Sequence, residues 1–169
     1  AGLGYRGSLR VLRTVASLDY LWNRVRVQGG AYGCFARFSR NGTAYFCSYR
    51  DPNLSETLAA YDQAAGYFRS FQASPREITK YIIGTVSRLD HPLTPSMKGE
   101  VADRRYMQNI THQDVQHDRE EVLSTGVSDI RETADLIEEI MRRNHLCVMG
   151  SEQTLRAQAH LFEKLVNVF

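Results

Sequence analysis

The sequence predicts an α+β domain of two layers, in which a small, mostly antiparallel sheet is packed by about six helices. Three observations carry that prediction. Apolar residues recur at intervals of three and four along most of the chain, which gathers them on single helix faces. Between residues 31 and 49 the period changes to two around an Asn41-Gly42 pair, the pattern of a β-hairpin. A short apolar run at 145–149 is too brief for a helix and predicts a third strand.

Taken in order, Val11, Val15, Leu18, Trp22 and Val25 form the stripe of the first helix. Gly29-Gly30 stops it, and Arg24 and Arg26 sit in its last turn, where cations suit the helix dipole. Tyr32, Cys34, Ala36 and Phe38 then alternate with Gly33, Phe35 and Arg37, and beyond Asn41-Gly42 the residues Tyr45, Cys47 and Tyr49 alternate with Ala44, Phe46 and Ser48. A two-residue Asn-Gly turn would set Cys47 opposite Ala36 with Cys34 diagonal to it on the same face. That geometry is compatible with a disulfide, although two buried free thiols fit the usual habit of cysteine better.

Leu54, Leu58, Tyr61, Ala65 and Phe68 give the next helix, opened by Asn53 with Glu56 three residues on. Ser74-Pro75-Arg76-Glu77 reads as a capping box with proline at the first helical position, and Ile78, Ile82, Thr85 and Leu89 follow as its stripe. Residues 90–110, with two prolines, Gly99 and mixed charge, read as an exposed excursion, after which Thr111 and Asp114 cap a polar helix. Ile130, Ala134, Ile137 and Met141 mark a further helix; Leu155, Ala159, Phe162, Val166 and Phe169 mark a terminal one capped by Ser151.

With no repeat and no linker, residues 1–169 read as one domain. The 21 basic and 19 acidic side chains leave a net charge of +2, so a nucleic-acid partner would need a local patch. Arg6, Arg10, Arg13, Arg24 and Arg26 share a helix with an apolar stripe and lack an aromatic stacking platform, so no nucleic-acid partner is expected. No apolar stretch nears the ~20 residues of a membrane helix, so no membrane partner is expected either. Three cysteines without C-x-x-C spacing fit a reducing, intracellular setting, a bacterial cytoplasm or an organelle matrix. A hairpin and one added strand are a small sheet for so many helices. Further strands from outside the segment, or a partner, would have to cover its edges.

Of the five histidines, none lies in His-Glu-x-x-His or its inverse. The nearest approach, His117 to Glu121 with His112 and Asp114 nearby, reads as a solvated helix face more readily than as a surface metal site. No serine occupies a G-x-S-x-G elbow. The glycine-rich run from Gly29 to Gly33 follows a helix and opens a strand, the wrong direction for cradling phosphate. What remains is Arg26 and Tyr32, on either side of the double glycine. A tight turn can project a guanidinium fork and a phenol from one rim toward the same carbonyl, which acyl-transfer chemistry needs. Equally, Tyr32 can pack in the sheet while Arg26 caps its helix.

The run Tyr20-Leu21-Trp22-Asn23-Arg24-Val25-Arg26-Val27-Gln28-Gly29-Gly30-Ala31-Tyr32-Gly33 closely resembles the presequence-protease branch of the pitrilysin and insulin-degrading-enzyme zinc metallopeptidases, the inverzincins. The resemblance continues through Phe38-Ser39-Arg40-Asn41-Gly42, Ser48-Tyr49-Arg50-Asp51-Pro52-Asn53, Glu56-Thr57-Leu58, and Asp90-His91-Pro92-Leu93-Thr94-Pro95-Ser96 to Lys98-Gly99. It implies that 1–169 is most of the last domain of a four-domain enzyme, an incomplete copy of the family's domain. The partner would be the N-terminal half of the same protein, which holds the zinc; no metal is expected on this segment, which alone would be inactive. Unfolded peptides would be the substrates, degraded in a closed chamber. The catalytic residues implied here are Arg26, positioning substrate, and Tyr32, stabilising the oxyanion, with Gly29, Gly30 and Ala31 in substrate binding. A scaffold of the same fold without metal chemistry is the rival reading.

Overall fold

One long helical rod, residues 8–28, organises the core of the computed structural model, which describes residues 4–167. It begins as α1 (Ser8–Val15) and continues through two π-helical stretches, Ala16–Tyr20 and Trp22–Gln28. The change of hydrogen-bond spacing alters which residues face inward. Val11, Leu12, Val15, Ala16, Tyr20, Leu21 and Val25 are buried, so the inward step lengthens from four to five residues. Leu18 and Trp22, which an α-helical stripe would bury, are instead 55% and 40% exposed. Asp19 pins the π region: its carboxylate accepts hydrogen bonds from Tyr67 Oη at 2.8 Å, Tyr81 Oη at 3.2 Å and Asn23 Nδ2 at 3.0 Å.

The predicted hairpin forms from β1 (Gly33–Phe38) and β2 (Ala44–Tyr49), paired antiparallel. Its register differs by one residue from a two-residue Asn-Gly turn. Ser39 donates to the Thr43 carbonyl at 2.9 Å and Gly42, at φ +84°, donates to the Ser39 carbonyl at 3.0 Å. This is a three-residue loop with a glycine bulge. Cys47 therefore lies opposite Phe35 and Cys34 opposite Ser48, which places the two thiols on opposite faces of the ribbon. The disulfide geometry is lost, and both cysteines are free and half-buried.

Helices complete the second layer. The stripe from Leu54 to Phe68 is divided at Gln63 into α2 (Leu54–Asp62) and α3 (Ala64–Arg69). The capping box at Ser74 opens α4 (Pro75–Leu89) as predicted. The exposed excursion contains α5 (Pro95–Met107), capped by the Thr94 hydroxyl and burying none of its residues. Its Thr-Pro start is a helix signal, but a helix without an apolar face leaves no period to read. Thr111 and Asp114 form the capping box of α6 (His112–Ser124), and α7 (Val127–Glu132) and α8 (Ala134–Arg142) share the stripe that was read as one helix. Asp118 of α6, nearly buried, receives Arg40 at 2.7 Å and Arg10 at 3.3 Å, tying the hairpin loop and α1 to that helix.

Two predictions at the C-terminal end are corrected. Residues 145–149 are not a strand, and among the described residues the sheet has two strands only. The segment has no regular structure and no neighbouring strand to bond. The terminal helix shrinks to α9 (Glu152–Ala157) and one 3₁₀ turn, Ala159–Leu161; Ser151 makes no side-chain cap, and Phe169 lies outside the described residues. No residue of α9 is buried, so its apolar positions gain no packing energy to extend it. No described helix is long and apolar enough to cross a membrane.

Candidate functional site

Arg26 and Tyr32 are neighbours across the double glycine, joined through the Tyr32 backbone. The Arg26 Nε–H donates to the backbone carbonyl of Tyr32 at 3.1 Å, and its guanidinium stacks 3.8 Å from the centre of the Trp22 ring. Trp22 is outside the core because of the π-helical register, so the helical irregularity supplies the platform on which Arg26 rests. The double glycine closes the helix. Gly29 and Gly30 donate their N–H groups to the Arg26 carbonyl and Ala31 donates to that of Val25, while Gly30 takes φ +76°. Asn53 Nδ2 in turn donates to the Gly29 carbonyl. All three N–H groups of Gly29–Ala31 are thus committed within the protein.

Tyr32 does not pack into the sheet; it is 60% exposed. Its ring is nonetheless held on two sides. Tyr49 meets it edge-on with centroids 5.6 Å apart, and the Arg50 guanidinium lies 5.3 Å from its centre. Arg50, at φ +48°, also accepts the Tyr32 N–H on its carbonyl at 3.2 Å. Gly33 lets the Tyr49 ring lie against the strand, since a Cβ at that position would displace it. Behind Arg50, Asp51 accepts from the Asn53 N–H at 3.0 Å and from the Thr57 hydroxyl at 2.7 Å, which anchors the turn to α2.

The site therefore includes Trp22, Tyr49, Arg50 and Asn53, which sequence reasoning did not assign to it. Trp22 was read as core and Asn53 as a helix cap; Asn53 makes no cap bond to α2 and serves the glycine turn instead. The only available signal was the clustering of aromatic and basic residues around positions 22–32 and 49–50.

Other chemistry is already engaged elsewhere. Burial pushes the Cys34 and Cys47 thiols up, which favours the unreactive protonated form. Glu121 accepts from the Gly7 N–H and sits 3.5 Å from His117, while Asp118 is held by two arginines. Among the described residues no group of three His, Cys, Asp or Glu side chains converges as a metal site.

Residues 1–152 match the family described as the PreP C-terminal domain. The chain is 43% identical over 167 residues to the protein HypA of Clostridium perfringens, covering 99% of the chain and 17% of that protein. It is 36% identical over 152 residues to presequence protease 1, chloroplastic/mitochondrial, of Arabidopsis thaliana, covering 89% of the chain and 14% of that protein. It is 33% identical over 123 residues to the mitochondrial presequence protease of Xenopus laevis, covering 73% and 12% respectively. The chain thus spans less than a fifth of the length of these curated relatives, and it belongs to the presequence-protease C-terminal domain family.

Proposed function

We propose that this chain is most of the last of four domains in an intracellular zinc endopeptidase that degrades unfolded peptides in a closed chamber. Here Tyr32 is an oxyanion donor and Arg26 a positioning residue. The observation that carries the reading is the Tyr32 ring, exposed yet fixed by Tyr49 and Arg50, on the same rim as Arg26. An exposed tyrosine needed only for packing would gain nothing from such support. A phenol held in one place can meet a carbonyl oxygen as negative charge develops on it, without reorganising.

Arg26 acts through the Tyr32 carbonyl, fixing the strand start, and offers its remaining N–H groups to the substrate backbone. Because the N–H groups of Gly29, Gly30 and Ala31 are committed and the Gly29 carbonyl is taken by Asn53, that turn would receive substrate through the Gly30 and Ala31 carbonyls, with the glycines letting an extended peptide approach. Zinc in such an enzyme would activate water, and among the described residues no three His, Cys, Asp or Glu side chains converge to hold it. The metal would belong to the N-terminal half, the partner of this domain, and this chain alone would be inactive.

The test is peptide cleavage by the full-length protein carrying Tyr32→Phe or Arg26→Ala. Tyr32→Phe is expected to lower kcat/KM by about 10²-fold or more, mostly in kcat. A change within a fewfold of wild type would remove the catalytic role, whereas a full-length protein without His-x-x-Glu-His upstream and without peptide cleavage would favour the scaffold reading.

A further inference from the structure

Tyr32 is gripped twice by the same residue. Its backbone N–H donates to the Arg50 carbonyl at 3.2 Å, and the Arg50 guanidinium carbon lies 5.3 Å from the centre of its ring. The first contact needs only a backbone, so any residue at position 50 could make it. The second needs a cation, and it is the one that reaches the phenol.

The backbone makes the presence of an arginine informative. Position 50 has φ +48°, where glycine is relaxed and a side chain is strained. Glycine would make the same turn with less strain, and strain of this kind persists where the side chain is used. The turn is held from behind, because Asp51 accepts the Asn53 N–H at 3.0 Å and the Thr57 hydroxyl at 2.7 Å. Those bonds also occupy the adjacent carboxylate, and no ion pair among the described residues involves Arg50, so its charge is uncompensated beside the ring. Arg26 does not take this part, since its guanidinium lies on Trp22 at 3.8 Å and its Nε–H is given to the Tyr32 carbonyl.

We infer that Arg50 is a positioning residue that acts on the reaction through the Tyr32 phenol. The inference rests on the reading of Tyr32 as an oxyanion donor and adds what makes that donor strong. As a phenol donates to a developing oxyanion, its own oxygen and ring gain electron density, and a cation near the ring face is drawn to that density more strongly than in the ground state. The interaction grows toward the transition state, which places its effect in kcat rather than KM.

Peptide cleavage by the full-length protein tests it with substitutions of Arg50, alone and combined with Tyr32→Phe. Arg50→Met keeps an unbranched side chain without the charge and should lower kcat about tenfold, with KM within about twofold of wild type. Arg50→Gly, which relaxes the turn, should be slowed as much; full activity in it would reduce Arg50 to a turn residue and overturn the proposal. Arg50→Lys restores a cation and should be at least about threefold faster than Arg50→Met, and equal rates overturn the proposal. A rise in KM with kcat unchanged would make Arg50 a ligand of the bound peptide and also overturns it. In the Tyr32→Phe background Arg50→Met should cost less than about twofold, since no phenol is left to act through, and an undiminished cost there overturns the proposal. Tyr32→Phe at the wild-type rate discards the oxyanion donor and the role of Arg50 with it, whereas a slow Tyr32→Phe beside a normal Arg50→Met discards the role of Arg50 alone.

Discussion

Around the helical rod, Leu12, Leu21, Phe68, Ile130 and Ile137 are wholly buried, whereas from residue 143 to 167 no side chain is buried at all. Both regions carry apolar residues at helical or strand spacing. In the first, α3 meets α7 and α8 and the rod meets α4, α6 and the hairpin, so each stripe faces another. In the second, α9 and the irregular segment before it line a cleft of about 910 Å³ beside β2 and α2, and none of their side chains is buried. The difference shows where the energy of a pattern resides: an apolar stripe stabilises a helix through what it is buried against, since intrinsic propensity leaves a helix of six residues marginal in water.

The largest expected effect tests the buried side of that contrast. Phe68 is fully buried beside the Tyr20 and Tyr67 rings, with centroids 5.9 Å and 5.1 Å away. Phe68→Ala removes an aromatic side chain from a site walled on several sides and should cost about 3–5 kcal/mol in denaturant unfolding. A loss below about 1 kcal/mol would mean that the region collapses around the cavity as freely as a surface does.

A smaller effect lies at the polar centre of the same region. Burial pushes the Tyr81 phenol up to about 12, with the Asp19 charge as the next cause, and burial raises Tyr67 as well. A phenol whose folded pKa is raised contributes stability that is complete below its unfolded value of about 10 and is lost as pH rises through the folded value. The melting temperature should therefore fall steeply between pH 10 and 12, and Tyr81→Phe, costing about 1 kcal/mol at neutral pH, should flatten that fall. An alkaline slope identical in the variant would show that Tyr81 does not carry the linkage.

The same contrast governs what could be read in advance. The capping boxes at Ser74 and Thr111 and the change of period at residue 31 are local signals, and their elements are where the sequence placed them. Arg26 and Tyr32 were identifiable as neighbours of a turn, but the direction of each side chain was not. That depends on the π-helical register, which pushes Trp22 outward beneath Arg26, and on Arg50, brought to Tyr32 by the pairing of two strands. The hairpin register was hidden because Asn41-Gly42 suits both a two-residue turn and the three-residue loop that closes at Ser39 and Thr43. The strand at 145–149 and the full terminal helix were legible as patterns and absent as elements, since both depend on neighbours beyond their own residues.

The smallest expected effect is the sharpest test of that dependence. Leu155 lines the cleft and is only partly buried. In the 169-residue chain Leu155→Ala should change unfolding stability by no more than about 0.5 kcal/mol, as for a surface position. In a longer polypeptide whose further residues pack against the cleft, the same substitution should cost about 2 kcal/mol or more, the range for truncating a buried leucine. An equal and small cost in both would leave the exposed end as a solvated surface in its own right. A large cost in the 169-residue chain alone would show that α9 is already packed without help, and the contrast between the two regions would disappear.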